Sequence, residues 1–381
     1  MNNYKKIGDI VTFKRGYDLP SYNRIDGDYP IISSSGISGY HNEYKADGEG
    51  LITGRYGTLG QMYYVNGKYW PHNTALYVTD FKGNYPKYVY FLMKSLISFK
   101  SSDKSTVPGI NRNDLHEIEI PYIEREHQNK IADVLFTIEK KIELNNRINA
   151  ELEAMAKTLY DYWFVQFDFP NTEGVPYKTS GGQMVWNEDV KREIPEDFQV
   201  VDLSEIANIT MGQSPPGESY NDTGEGMIFF QGCTDFGTRF PSVRLFTTAP
   251  TRFAKTNDIL LSVRAPVGTL NIANQDCCIG RGLAALNSKD NANTFLFGVL
   301  TNLKQIFDRR NTDGTTFGSI TKDDLYSLKV IKPTDDILAL YQKTISAAFE
   351  KQNKIDLENQ TLTTLRDWLL PMLMNGQVTV T

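Results

Sequence analysis

Residues 124–168 read EREHQNKIADVLFTIEKKIELNNRINAELEAMAKTLYDYWFVQFD. Ile131, Leu135, Ile138, Ile142, Leu152, Leu159 and Trp163 follow a three-four hydrophobic repeat, which Asn145, Asn149 and Ala156 complete. No glycine or proline lies between Tyr122 and Phe169. The spacing predicts one helix of about 40 residues, roughly 60 Å long. A second stretch repeats the pattern through Tyr341, Ile345, Ala348, Gln352, Ile355, Asn359, Leu362, Leu369 and Leu373. A helix of that length with an apolar stripe needs a partner, and the other copy in the same chain is the economical one. Asn145, Asn149, Gln352 and Asn359 would then meet in a buried polar layer, which costs stability and specifies register.

The segments preceding the two helices also echo each other. Ile10 to Gly16 (IVTFKRG) matches Ile206 to Gly212 (IANITMG), Tyr29 to Ile32 matches Met227 to Phe230, and Leu51 to Arg55 matches Leu260 to Arg264. Ala75-Leu76 matches Ala285-Leu286, and Gly109 to Leu115 matches Ser319 to Leu325. The anchors recur while the stretches between them differ. Two copies of one fold with different loops imply one task performed on two targets.

Residues 1–123 alternate short β-branched and aromatic runs with Gly/Ser/Asn/Asp turns, which predicts strands at 29–33, 50–53, 61–65, 75–79 and 118–120. Tyr85 to Lys100 has helical spacing. The later copy predicts strands at 227–230, 259–263 and 282–286 and a helix over 293–307. The expected fold class is α+β, with a pseudo-two-fold internal repeat. Its parts are a strand-rich domain over 1–123, a long helix over 124–168, a Gly/Pro-rich linker over 169–199, a second strand-rich domain over 200–333, and a long helix with its tail over 334–381.

Bulk composition narrows the function classes. The chain has 381 residues, 40% hydrophobic and 23% charged, enough for two or three domains. It has no apolar run near the ~20 residues of a membrane helix and no secretory leader, so the expectation is a cytoplasmic protein without membrane contact. Its net charge of −6 argues against an indiscriminate polyanion binder. That average conceals a pattern. Residues 1–123 carry 14 basic and 12 acidic groups, residues 200–333 carry 13 of each, and the helices with the linker hold 13 basic against 21 acidic. Between Glu49 and Asp103 six bases face the single acid Asp80; between Asp235 and Asp258 Arg239, Arg244, Arg252 and Lys255 face none. Phosphate binding requires local potential of this kind.

Catalytic signatures are weak. His41, His72, His116 and His127 have no metal-ligand spacing, and Cys233, Cys277 and Cys278 form no ligand set. Gly48-Glu49-Gly50 is not continued into a dinucleotide fingerprint, and no phosphate-loop motif occurs. Ser214-Pro215-Pro216-Gly217 lacks the aromatic of an adenine-methyltransferase signature and reads as a turn. Asp28 with Glu43-Tyr44-Lys45 is a nuclease-like pattern too short to carry weight. The chain reads as non-catalytic, binding no metal or cofactor of its own. A stand-alone methyltransferase or nuclease is the alternative, and a protein-only coiled-coil adaptor a further one.

What remains is recognition chemistry. The first domain holds 15 of the 21 tyrosines. Tyr, Ser, Asn, Gln and Arg side chains reach base edges and phosphates.

Four passages resemble the specificity subunit of Type I restriction-modification systems over essentially the whole chain. They are Tyr29 to Tyr40 with Gly54 to Gly60, Gly212 to Gly217 with Tyr220, Trp163 to Gly182 with Ile194-Pro195, and Leu365 to Val378. The resemblance implies two target recognition domains, each reading half of a split duplex-DNA site, separated by two long antiparallel helices acting as a coiled-coil spacer. Two readers about 15 base pairs apart would suit helices of roughly 50–60 Å. It also implies two modification subunits that use S-adenosylmethionine and, in a full complex, restriction subunits that use ATP and Mg. The candidate DNA contacts are Ser33, Ser34, Ser35, His41, Arg55, Tyr56, Lys68 and Asn73 in the first copy. In the second they are Ser214, Tyr220, Gln231, Thr234, Arg239, Arg244, Arg264 and Arg281. Arg55 and Arg264, shared by the copies, are assigned to phosphate or to structural hydrogen bonding, because one shared residue is ill suited to reading two different bases. The first copy departs from the second at Gly16 to Pro20, which replaces the Ser-Pro-Pro-Gly turn.

Overall fold

The computed structural model describes residues 3–54, 61–101, 112–312 and 319–380. These divide into two compact units, one of residues 1–144 with 359–381 and one of residues 145–358.

The first unit opens with β1 (Asn3–Lys6), the single turn α1 (Ile7–Ile10) and β2 (Thr12–Arg15). There follow β3 (Tyr29–Ser33), β4 (Gly36–His41), β5 (Glu49–Gly54), β6 (Met62–Asn66), β7 (Trp70–Pro71) and β8 (Ala75–Asp80). The helices α2 (Pro86–Ser101) and α3 (Arg112–His116), then β9 (Glu119–Tyr122), lead into α4 (Arg125–Tyr160). An antiparallel sheet of order β2-β8-β5-β6 carries the core, a smaller sheet β4-β3-β7 lies beside it, and β1 pairs β9. Strand β5 is apolar over Leu51 and Ile52, both fully buried, as the inner strand of a two-sided layer should be. Helix α2 follows a proline at its first position, where the missing N–H costs nothing. It buries Tyr88, Val89, Phe91, Leu92 and Met93 against Ile131 and Leu135 of α4 and against Leu370 and Leu373. The half-buried Lys94 donates to Glu139 of α4 at 2.6 Å.

In the second unit the segment read as a linker is built into the core. Residues Asp161–Val165 form a π-helical turn, and a hairpin β10 (Met184–Asn187) with β11 (Arg192–Pro195) follows. Phe169 stacks on Tyr177 at 4.7 Å and on Phe198 at 5.0 Å. Thus Pro and Gly here mark turns between packed aromatics rather than a free tether. Strand β12 (Gln199–Asp202), the turn α5 (Leu203–Ile206) and β13 (Ala207–Met211) then repeat the opening of the first unit. The chain continues through β14 (Tyr220–Asn221), β15 (Met227–Phe230), β16 (Phe246–Thr247), β17 (Phe253–Ala254), β18 (Ile259–Ser262), β19 (Leu270–Ile272), β20 (Cys277–Ile279) and β21 (Leu283–Ser288). Helices α6 (Asn293–Thr312) and α7 (Lys322–Tyr326), strand β22 (Lys329–Lys332) and α8 (Asp335–Met374) close the order. The sheets are β13-β21-β18-β19, β14-β16-β15-β20-β17 and β12-β22. Tyr160, Trp163, Phe164, Phe295, Tyr341 and Ile345 fill one core, with the Phe164 and Tyr341 rings 4.9 Å apart.

The repeat is therefore architectural. Each unit pairs a four-stranded antiparallel sheet with a second sheet, of three strands in the first unit and five in the second, in which one strand runs parallel to a short partner, β3 with β7 and β15 with β20. Leu115 and Leu325 are both buried, on α3 and α7. Two of the expected correspondences shift: Ala75 with Ala285, and Leu51 to Arg55 with Leu260 to Arg264. Gly16 N donates to Ala75 O as Gly212 N donates to Leu283 O, and Gly54 pairs Ala75 as Ser262 pairs Leu283. Ala75 therefore matches Leu283, two residues short of Ala285. Arg264 stands two places after Ser262 but Arg55 only one after Gly54, so the register does not equate the two arginines. The two-residue slip at Ala75 keeps every side chain on its face, and the one-residue slip at Leu51 falls in a run, Ile259 to Leu261, that is apolar and buried throughout, so hydrophobic pattern exposes neither.

The seam residues of the two long helices are placed as follows. Ile131, Leu135 and Ile138 are buried on α4, and Ile345 and Ile355 on α8; Ile142, Leu152, Leu159, Asn359 and Leu362 are half-buried. The expected polar layer exists around Asn145, Asn149 and Gln352, all buried. The two asparagine side chains donate to acids there, however. Asn145 donates to Glu358 Oε2 at 2.8 Å, Asn149 to Asp356 Oδ1 at 2.9 Å, and Gln352 to the Asn149 carbonyl at 3.3 Å.

Candidate nucleic-acid interface

In each unit the same strand ends carry the candidate residues. Ile32 sits opposite Pro71 in the parallel pair of the first unit, and Phe230 opposite Ile279 in the second. His72 N then donates to Ile32 O, as Gly280 N donates to Phe230 O. By that register Ser33 corresponds to Gln231, and Asn73 to Arg281. The framework permits this approach only with glycine beneath it. A Cβ on Gly16 would stand 2.1 Å from the His72 carbonyl oxygen, and one on Gly212 2.2 Å from that of Gly280.

In the first unit the β3–β4 turn is ordered by its own serines. Ser33 Oγ donates to Gly36 O at 3.0 Å and lies 3.1 Å from Ser35 Oγ. Ser34 N donates to Thr74 Oγ1 at 3.3 Å, bringing this turn against the β7–β8 turn. There Asn73 donates to Asp18, and Arg15 Nε donates to Asn73 O at 3.4 Å. Ser33, Ser34, Ser35 and Asn73 are thus gathered, joined by Thr74, Asp18 and Arg15, which sequence reading left out. His41 and Lys68 are not part of this group. His41 is buried, accepts from Ile25 N at 3.1 Å and lies edge-on to Trp70 at 5.2 Å, so its ring is a structural element. Lys68 Nζ stands 4.6 Å from the Tyr44 ring centre. Arg55 and Tyr56 lie outside the described residues.

In the second unit the convergence is fuller. Gln231, Thr234, Arg244, Arg264 and Arg281 line one cleft of about 230 Å³, with Gly232, Cys233, Asp235, Ser262, Ala265 and Gly282. Three guanidinium groups thus border one small concavity, giving the local positive potential that an anion-rich ligand requires. Arg264 and Arg281 are exposed and, among the described residues, have no acidic partner. Arg244 is paired: its Nε is 2.8 Å from Asp235 Oδ1. That hydrogen bond and the Asp235 charge raise the Arg244 pKa. Ser214 Oγ accepts from Arg281 N at 3.4 Å at the rim. Tyr220 turns inward, donating to Pro215 O at 3.0 Å and tilting over Phe229 at 4.8 Å.

Arg239, read as a DNA contact, is placed elsewhere. Its guanidinium lies 4.0 Å from the Phe349 ring centre and donates through Nε to Asn353, both on α8. Burial pushes its pKa down to about 10, far enough above neutrality that it stays charged, with Asp356 and Glu153 acting the other way. A half-buried cation held against a helix by a ring and an amide is a brace, not a surface contact. Asp235 is the converse: in sequence it marked only the edge of a basic run, yet it is buried at the cleft wall. Its pairing with Arg244 depends on loop closure, and no sequence signal announces it.

Comparison with known proteins agrees with this geometry. The model of the Type I restriction modification DNA specificity domain matches residues 2–154 and 195–366. A putative type I restriction enzyme MjaX specificity subunit of Methanocaldococcus jannaschii is 33% identical over 305 residues, covering 76% of this chain and 66% of that protein. The HindI specificity subunit of Haemophilus influenzae is 22% identical over 341 residues, 73% of this chain and 72% of that one. The solved S subunit of a Type-I restriction-modification system from M. genitalium aligns over 97% of this chain and 94% of its own, with a TM-score of 0.66 at 16% identity, a likeness of fold.

Proposed function

Since the chain belongs to the Type I restriction-modification DNA specificity family, we propose that it is the DNA-recognition subunit of such a system. Each strand-rich domain reads one half of a bipartite duplex site. The subunit carries out no chemical step itself. It seats two modification subunits and, in a complete system, restriction subunits, and S-adenosylmethionine, ATP and Mg act on those partners in the cytoplasm. The observation that carries this reading is a shared strand-end framework bearing different side chains: Ser33 and Asn73 in one unit, Gln231 and Arg281 in the other. A conserved frame with exchanged polar groups suits two different half-sites, because hydrogen bonds to base edges carry the sequence information. Arg264, exposed and without an acidic partner among the described residues, suits phosphate.

Selection from a random duplex library by the full chain, co-purified with its modification partner, tests the reading. The expected product is an asymmetric two-part motif with a fixed gap. Enrichment of no motif, or S-adenosylmethionine binding by the purified chain alone, would favour a stand-alone enzyme or a protein-only adaptor.

A further inference from the structure

Within the cleft of the second unit the three arginines are not equivalent. Arg264 and Arg281 carry net charge into it, whereas Arg244 is held by Asp235 through Nε at 2.8 Å and Nη2 at 3.4 Å. The Asp235 side chain is 5% exposed and that of Arg244 55%. One edge of the guanidinium is therefore fixed to a buried carboxylate, while the other, Nη1 with the outer hydrogen of Nη2, has no hydrogen-bond partner among the described residues, on a side chain that lines the cleft. An ion pair with no net charge is a poor anchor for phosphate but a well-oriented two-pronged donor. That fork matches the paired O6 and N7 acceptors of guanine in the major groove.

The loop bearing the pair is tied down by hydrogen bonds. Ser242 N donates to Asp235 O at 2.8 Å, Gly237 N to Phe240 O at 3.2 Å, and Ile272 N to Arg239 O at 2.8 Å. Asn271 Nδ2 donates to Gly237 O at 2.9 Å, and Arg239 clamps the loop's tip to α8. A donor on so fixed a support selects one base without the cost of ordering a loop on binding.

We propose that Arg244, positioned by Asp235, is the side chain that selects guanine at one position of the half-site read by residues 200–333. This deepens the DNA-recognition reading and rests on it. The test is selection from a random duplex library by the full chain with its modification partner, comparing wild type with Arg244→Lys, Arg244→Ala and Asp235→Asn. Arg244→Lys keeps the charge and removes the fork, so it is expected to lose roughly tenfold or more of the preference at one base pair, with the other half-site unchanged. Asp235→Asn is expected to weaken preference at that same base pair. A wild-type motif retained in Arg244→Lys, or an even loss of affinity across all sequences, overturns the proposal and leaves the recognition function standing. A wild type that enriches nothing overturns the function itself. Arg244 is half-exposed, so its lysine variant decides the matter even if Asp235→Asn fails to fold.

Discussion

Asn149 of α4 donates from Nδ2 to Asp356 Oδ1 of α8 at 2.9 Å, with both side chains buried. Gln352 donates to the Asn149 carbonyl one turn away, so this pair lies at the centre of the polar layer. Buried polar partners specify alignment because every displaced register leaves one of them unmatched. Asn149→Ala removes the donor and strands the carboxylate. It is expected to cost about 1–3 kcal/mol in urea unfolding. A change under a few tenths would show that the layer is dispensable.

Asp356 also makes stability depend on pH. Its carboxyl is held above the ordinary carboxylate value chiefly by burial and also by Glu153, against the opposing pull of Arg239 and Asn149. The folded chain therefore keeps this proton at pH values where the unfolded chain has released it. The resulting contribution is complete below the unfolded value of about 4 and is lost as pH rises through the folded one. Asp356→Asn removes the titration. From pH ~4 to ~7 the wild type should lose melting temperature relative to the variant; parallel curves would show that the group is not linked to folding.

Gly16 and Gly212 occupy the same close approach in the two units, each against a backbone carbonyl. A backbone oxygen cannot swing aside as a side-chain tip can. Alanine at either position is expected to destabilise by about 1–3 kcal/mol or more. It should also displace the turn bearing Asn73 or Arg281, so each variant should blur one half-site only. Denaturation and motif selection on the same samples check both effects, and blurring of both half-sites by one variant would contradict the assignment.

Burial pushes the Cys277 thiol up to about 12, and Cys278 beside it in β20 is also buried; Cys233, at the cleft, is partly exposed. Reactivity follows the thiolate. Iodoacetamide at pH ~8 is expected to label Cys233 in the native chain and all three cysteines in denaturant. Equal native labelling of Cys277 and Cys233 would refute the burial argument.

Much of the architecture was legible beforehand. The strand over 29–33 and the helices at 86–101, 125–160 and 335–374 stand where periodicity put them, because apolar spacing reports directly on which face meets a core. The site was less legible. Of the second-unit candidates, Gln231, Thr234, Arg244, Arg264 and Arg281 converge on one cleft, Ser214 reaches its rim, and Arg239 braces a helix instead. Arg239 and Arg244 look alike in sequence, five positions apart in one basic run. The fold sends one to Phe349 and the other to Asp235.

The sequence by itself determined the duplicated plan, the two long helices with polar residues in mid-seam, and the family. All of these are written in local spacing and in recurring anchors. Only the tertiary structure decided which partners those residues meet. It joined the Asn149 side chain to Asp356 and its backbone carbonyl to Gln352, shifted the match of Ala75 from Ala285 to Leu283, and turned Asp235 toward Arg244. The physical reason is common to all three. Periodicity fixes the face on which a side chain lies, whereas partner choice depends on strand register and loop closure, which bring together residues whose separation along the chain carries no signal.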